Sequence, residues 1–178
     1  MRVLGIDPGF ATTGYGVVER VAGVLRAVSF GAVRTPASLP PAGRLAYLRN
    51  ALAEILAETH PGVVAIERLF FNSNVRTAMS VGQASGVALA TAAEAGLEVV
   101  DYTPPEVKQS VVGVGNASKH QVQTMVAALL KLDTVPKPAD AADACALAIC
   151  HLNRSGLARA ITSARAGSAG HPTERAVG

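Results

Sequence analysis

Two acidic residues end apolar segments that would otherwise continue as buried β-strands. Asp7 ends the run VLGID immediately before a Pro-Gly turn, and Glu67 ends the run VVAIE. Moving a carboxylate out of water is unfavourable unless a cation or a hydrogen-bond donor meets it. The partner of Asp7 could be a side chain, a hydrogen-bond donor or a metal ion, and the other acids of the chain bear on that choice.

A second pair of acids, Asp140 and Asp143, lies in the helical segment PADAADACALAIC. Their spacing of three places both side chains on one face of a helix, near an N-terminus whose dipole favours negative charge. Asp140 could simply cap the free backbone donors of that helix. That explanation is weaker for Asp143, which faces into an otherwise apolar helix.

The four acids could form a single metal site, because the ends of neighbouring strands lie side by side in an α/β sheet. Four carboxylates cannot all stay ionised together without cations, since like charges raise one another's pKa. Oxygen ligands without a His or Cys cluster favour Mg²⁺ or Mn²⁺ over zinc. Two such ions about 3.5–4 Å apart would hold an attacking water and a leaving oxygen in line at a phosphodiester.

The hydrophobic pattern predicts the elements that must position these acids. Three short strands form a meander, and helices and strands then alternate, which indicates an α/β fold with a five-stranded mixed sheet flanked by α-helices. The predicted strands are 4–7, 14–19, 24–35, and two that begin at Val63 and Leu97. The predicted helices are 41–60, about 75–95, a short one begun by proline after Thr103, one with a capping box from Ser118 to Gln121, and 138–154.

Length and composition predict one globular domain in a reducing cytoplasm. The chain has 178 residues, of which 49% are hydrophobic, enough for the core of one domain. Cys145 and Cys150 are five apart in one helical segment, which argues against a disulfide framework or a zinc site. The start of the chain lacks the basic beginning and long apolar stretch of a signal peptide. Residues 156–178 are small, polar and basic, which predicts a disordered tail after a domain over residues 1–155.

One uncharged segment, residues 77–93, could be either a membrane-spanning helix or a helix buried in the protein. A membrane span is conceivable, but Thr, Ser, Gln and Gly dilute the segment, and it is slightly short for a bilayer. The GxxxG pair Gly82 and Gly86 favours a buried or interface helix instead. We therefore expect no membrane association.

The charge balance is compatible with a nucleic-acid substrate. The formal net charge is +3, from 16 basic and 13 acidic residues. If four acids were gathered in one metal site, the remaining surface would be strongly basic, which suits a polyanion. Charge alone is equally compatible with an ordinary arginine-rich protein.

Four sequence blocks together closely resemble the RuvC family of bacterial Holliday-junction resolvases, over about residues 1–153. The blocks are GIDPG with TGYG, VVAIE with its following Phe and Asn loop, TPPEVKQSVVGVGNASKHQV, and PADAADACALAICH. The resemblance implies a ribonuclease H-like fold, a homodimer with two active sites, and paired symmetric nicks across a four-way DNA junction in homologous recombination and repair. It also implies two Mg²⁺ per site, with Mn²⁺ able to substitute, a partnership with the RuvA–RuvB branch-migration complex, and action at the bacterial nucleoid.

The same resemblance assigns roles to individual residues. It implies that Asp7 bridges both ions and that Glu67, Asp140 and Asp143 complete their ligand shells. It implies that Lys108 and Lys119 contact DNA and have catalytic roles close to the scissile phosphate. The resemblance favours Phe70 as the residue that inserts at the junction, with Phe71 as the alternative, although a loop Phe is as often an anchor to the core. Arg76 is a further phosphate contact, and the helix from about Val75 contributes to the dimer. His151 lies two turns beyond Asp143 and is expected to be structural.

Two other functions are compatible with parts of the pattern. An actin-like ATPase or sugar kinase carries a similar first hairpin, but it needs a second domain to close over nucleotide, for which this chain is too short. A catalytically inactive junction-binding module is the other alternative. The presence of all four acids argues against it.

Overall fold

The computed structural model describes residues 1–68 and 75–168, with the side chains of 75–77 and 157–168 outside that description. The strands are β1 Arg2–Asp7, β2 Thr12–Val21, β3 Val24–Arg34, β4 Val63–Glu67 and β5 Glu98–Tyr102. The helices are α1 Pro41–Thr59, α2 Val75–Glu94, α3 Pro104–Val112, α4 Lys119–Leu130 and α5 Ala139–Ser168. The sheet order is β3-β2-β1-β4-β5. The first three strands pair antiparallel, whereas β1–β4 and β4–β5 are parallel. The predicted five-stranded mixed sheet flanked by helices is confirmed.

The register of the two central parallel strands places their final acids at one edge of the sheet. Val3 pairs with Val63 and Ile6 with Ile66, so Asp7 and Glu67 each stand one position beyond the last of these pairs. Successive side chains of a strand point to opposite faces. The two acids are therefore neighbours, on the same face.

Two hydrophobic cores cover the two faces of the sheet. Leu4 and Ile6 of β1 pack with α1 residues such as Leu48 and Leu52 on one face. Val3 of β1 packs on the other face, in the core that contains the apolar residues of α5. Because Asp7 follows Val3 at even spacing along β1, its side chain is directed to the α5 face.

Glycines on the α5 face allow that helix to lie directly on the sheet backbone. Gly5 pairs with Gly16 across β1 and β2, and Gly14 pairs with Asp7. A Cβ on Gly16 would come 2.6 Å from the backbone nitrogen of Cys145. Cβ atoms on Gly5 and Gly14 would overlap the carbonyl oxygens of Ala144 and Asp140, respectively. The glycines thus set how closely the acidic start of α5 approaches the sheet.

The two short helices on the α5 face begin with the caps that the sequence predicts. Thr103 and Glu106 form a capping box at the start of α3, and Ser118 and Gln121 form another at α4. In such a box the side chains satisfy free backbone N–H groups of the first turn. These caps fix where α3 and α4 begin, and hence where Lys108 and Lys119 stand.

The last helix is longer than the predicted one, which ended at residue 154. Helix α5 continues through the expected boundary at residue 155 to Ser168. The segment GLARAITSARA is rich in Ala and Arg, two of the better helix formers, so helix propensity alone supports the extension. Residues 169–178 lie outside the described residues.

Two further expectations concern the cysteines and the uncharged helix. Both cysteines are free and buried, and burial raises the pKa of the Cys145 thiol to about 12. In the described part of the chain, no helix has the length and apolar character needed to cross a bilayer.

Candidate active site

Three of the four acids meet at the junction of β1 and α5. One carboxylate oxygen from each of Asp7, Asp140 and Asp143 lies within 4.8 Å of the others. The spacing of three on α5 places the two helix acids on one face, and the glycines beneath that face bring them to Asp7.

The fourth acid, Glu67, lines the same cleft without joining the tight group of three. The cleft has a volume of about 430 Å³ and is also lined by Asp7, Asp143, Lys108 and Lys119. Apolar side chains of α3, α4 and α5 form part of its wall: Val107, Val122, Ala146 and Leu147. An acidic floor is thus combined with apolar walls and two lysines.

The electrostatics of the cluster indicate a deficit of positive charge. Burial raises the pKa of Asp7 to about 7, and the charges of Glu67, Asp143 and Asp140 contribute further, while Lys119 opposes the rise. Burial and the charge of Asp143 also raise the pKa of Glu67. A carboxylate whose ionisation is opposed in this way gains from any added cation.

One cation of the chain already contacts the cluster. The Lys119 ammonium lies 2.6 Å from an Asp143 carboxylate oxygen. Its hydrogen bond to Asp143 raises the pKa of Lys119. An ammonium group in contact with one carboxylate of the cluster shows that a cation can approach this position. The hard oxygen donors of Asp7, Glu67, Asp140 and Asp143 suit a divalent ion such as Mg²⁺ or Mn²⁺.

The other residues singled out in the sequence differ in where they lie. Lys108 lines the cleft, and within the described residues no acid forms an ion pair with it. Phe70 and Phe71 lie outside the described residues. Arg76 is in the first turn of α2, with its side chain outside the description. His151 is buried, and its Nδ1 lies 2.9 Å from the Tyr102 hydroxyl, which fits the structural role expected of it.

Two features of the site were not inferred from the sequence. One is Gly14, which lies opposite Asp7 and beneath Asp140. The motif TGYG places two glycines on one face of β2, and this alternation was the available signal. The other is the Lys119–Asp143 ion pair, for which residue spacing offers no signal because the two residues come from different helices.

The raised pKa of Asp7 should make the metal-free protein less stable as pH rises. Its folded-state pKa of about 7 exceeds the ordinary value of 3.8. The free energy of unfolding therefore contains a contribution that is complete below about pH 4 and is lost towards pH 7. We expect denaturant unfolding in EDTA to show this decline, and Asp7→Asn to reduce it. Equal declines in the two proteins would contradict the burial and repulsion described for Asp7.

Comparison with known proteins identifies relatives over most of the chain. The family model for crossover junction endodeoxyribonuclease RuvC matches residues 3–151. A protein of that name from Chloroflexus aggregans (strain MD-66 / DSM 9485) is 56% identical over 151 residues, covering 85% of this chain and 92% of the relative.

Solved structures show the same likeness. RuvC of Thermus thermophilus, in complex with a Holliday junction substrate, has a TM-score of 0.84 and 36% identity, and the match covers 89% of this chain and 96% of that one. The yeast mitochondrial Holliday junction resolvase has a TM-score of 0.62 at 14% identity, covering 85% and 78% of the two chains. That second likeness concerns the fold alone.

Proposed function

The chain belongs to the family of crossover junction endodeoxyribonucleases called RuvC, and on that premise we propose that it resolves four-way DNA junctions by metal-dependent, paired symmetric nicks. The observation that carries the proposal is the convergence of carboxylates in a cleft that also holds two lysines. A half-buried acidic floor is stabilised by cations, and lysines at the same cleft can meet a phosphate. The biological setting that follows is homologous recombination and DNA repair.

In the proposed site, Asp7, Glu67, Asp140 and Asp143 hold two Mg²⁺ ions, for which Mn²⁺ can substitute. Once bound, these ions supply a nucleophilic water and stabilise the charge that develops on the leaving oxygen. The four acids fix the place of attack relative to the sheet. Hydrolysis leaves a 5′-phosphate and a 3′-hydroxyl.

The two lysines act on the phosphate itself. Lys108 is on α3 and Lys119 is the first residue of α4, and both line the cleft. An ammonium group beside the scissile phosphate stabilises negative charge that grows in the transition state. We assign this role to both residues, and a weaker backbone contact to Arg76.

Two nicks in one junction require two sites, and we propose that a homodimer supplies them. The described residues contain one group of acids that could hold a metal ion. On α2, Met79 and Leu89 are exposed, and they lie on the same helical face as Gly82 and Gly86, where an added Cβ would meet open space. An apolar face of this kind suits contact with a second copy, in which two identical patches pair.

Three further assignments complete the proposal. Residues 1–155 form the nuclease domain, and the chain acts in the bacterial cytoplasm at the nucleoid. There it cooperates with the RuvA–RuvB branch-migration complex. The family membership supports each of these.

Replacing Phe70 with Ala should impair cutting more than folding. We propose that this aromatic ring stacks on bases unpaired near the cut, an interaction worth about 1–3 kcal/mol per base. A loss of about tenfold or more in the single-turnover cleavage rate is expected. Phe71→Ala is the matched control, and it should retain most of the activity. A large fall in the melting temperature of Phe70→Ala would instead place Phe70 in the core.

Cleavage of a synthetic junction tests the proposed function. The protein is incubated with a labelled four-way junction and with a linear duplex of the same sequence, in Mg²⁺ or EDTA. Symmetric nicks in the junction alone, lost with EDTA, are expected. Binding without cutting in any metal would indicate a junction-recognition protein, and neither binding nor cutting would remove the proposal.

A further inference from the structure

Lys119 occupies an unusual position for a basic residue. It is the first residue of α4, directly after the N-cap Ser118. The helix dipole favours acids at this end and disfavours cations. The helix dipole does not favour a lysine there, whereas the contact with Asp143 does.

The two partners of this ion pair differ in their exposure to solvent. The Lys119 side chain is 61% exposed, whereas that of Asp143 is 25% exposed, and their charged atoms are 2.6 Å apart. The lysine therefore approaches from the mouth of the cleft and is not fixed by surrounding packing. A side chain held mainly by one ion pair can leave without disturbing the core.

The influence of the ammonium extends beyond Asp143. It lowers the pKa of Asp7 and of Glu67, against the effect of burial. In the part of the chain that the structure describes, no other basic side chain forms an ion pair with any of the four acids. Lys119 is thus the counter-ion of the whole cluster.

We propose that the Lys119 ammonium is a place-holder in the metal site, which pairs with Asp143 in the metal-free protein and is displaced when a divalent cation binds. The inference rests on the proposed function and adds a step to it. The Lys119 ammonium and a divalent ion are both attracted to the Asp143 carboxylate and repel each other, so the two cations compete. Once displaced, the side chain lies at the mouth of the cleft, where a DNA phosphate can accept it. The same lysine would then serve the metal-free and the DNA-bound protein in turn.

The test is the affinity for metal without DNA. Binding of Mn²⁺ to the full chain is followed by electron paramagnetic resonance of the free ion, at fixed pH and ionic strength. Lys119→Met should bind Mn²⁺ about fivefold more tightly than the wild type, the gain expected from removing a competing, half-exposed ion pair. Because the side chain is largely exposed, this variant should fold.

Two matched variants separate competition from a general change of charge. Lys108→Met removes the same charge from the same cleft, without an ion pair to the acids, and should stay within about twofold of the wild type. Lys119→Arg keeps the charge and should also stay within about twofold. In a second readout, saturating Mg²⁺ should raise the melting temperature of Lys119→Met more than that of the wild type.

The outcomes distinguish this inference from the proposed function. Suppose that the wild type binds Mn²⁺ and cuts junctions but Lys119→Met binds Mn²⁺ no more tightly than Lys108→Met. The place-holder role of Lys119 is then overturned, whereas the proposed nuclease function is retained. If the wild type neither binds Mn²⁺ nor cuts junctions, both are overturned. Tighter binding by Lys119→Met together with slower cutting supports both roles of the lysine.

Discussion

Replacing Asp7 with Asn should abolish junction cleavage while leaving junction binding largely intact. The change removes the strand carboxylate that groups with both helix acids, and it leaves Lys108 in place at the cleft. A missing ligand in a two-metal site removes both the activated water and the stabilisation of the leaving group. We expect a loss of about 10³-fold or more in the single-turnover rate, measured with labelled junction DNA.

Asp101→Asn is the matched control for this change. Asp101 is also an acid on a parallel strand, β5, but its side chain is half exposed and pairs with Arg68 away from the cleft. It should cut junctions at close to the wild-type rate, and gel-shift measurements should give similar junction affinities for both variants. Normal cutting by Asp7→Asn, or an equal loss in the two variants, would contradict the assignment of the acidic site.

The second large effect is expected at a residue without a side chain. Gly14→Ala places a Cβ against the backbone carbonyl of Asp140 and 2.9 Å from the Asp140 Cβ. Relief requires the start of α5 to move away from β2, which draws Asp140 away from Asp7. A displacement of about 1 Å at a catalytic site can cost about 10²-fold in rate. We expect a loss of that size in junction cleavage, together with weaker Mn²⁺ binding.

Overpacking also destabilises, typically by about 1–3 kcal/mol, so Gly14→Ala requires a control for stability. Gly62→Ala supplies it, because a Cβ there meets only an ordinary contact, 3.8 Å from the Arg2 carbonyl oxygen. Cleavage is compared at a temperature where denaturant titration shows each variant fully folded. A folded Gly14→Ala protein with unchanged Mn²⁺ affinity and rate would contradict the positioning role of this glycine.

Strand endings and helical spacing were sufficient to predict most of the fold. They also predicted that acids from two strands and one helix lie near one another. Asp7 and Glu67 break apolar runs, and strand alternation then directs both to one face of the sheet. Asp140 and Asp143 share a helix face by spacing alone. Each of these signals is local in the sequence, which is why the order of the ten elements could also be predicted.

Contacts between distant segments could not be predicted in this way. The ion pair of Lys119 and Asp143 depends on how α4 and α5 pack. The position of α5 over Gly14 depends on how closely the helix backbone approaches the strand backbone. The end of α5 was placed too early because the sequence after residue 155 lacks an apolar face, although its helix propensity is high. Phe70 is a different case, since its proposed role concerns DNA and not the packing of the chain.

The location of bound metal tests the central claim most directly. Crystals of the protein grown with MnCl₂ would be measured at the manganese absorption edge, and anomalous density locates the ions without assumptions about the chemistry. We expect two peaks enclosed by Asp7, Glu67, Asp140 and Asp143, with the Lys119 ammonium moved away from Asp143. Crystals of a junction-cutting protein that show no manganese among these four carboxylates would contradict the account.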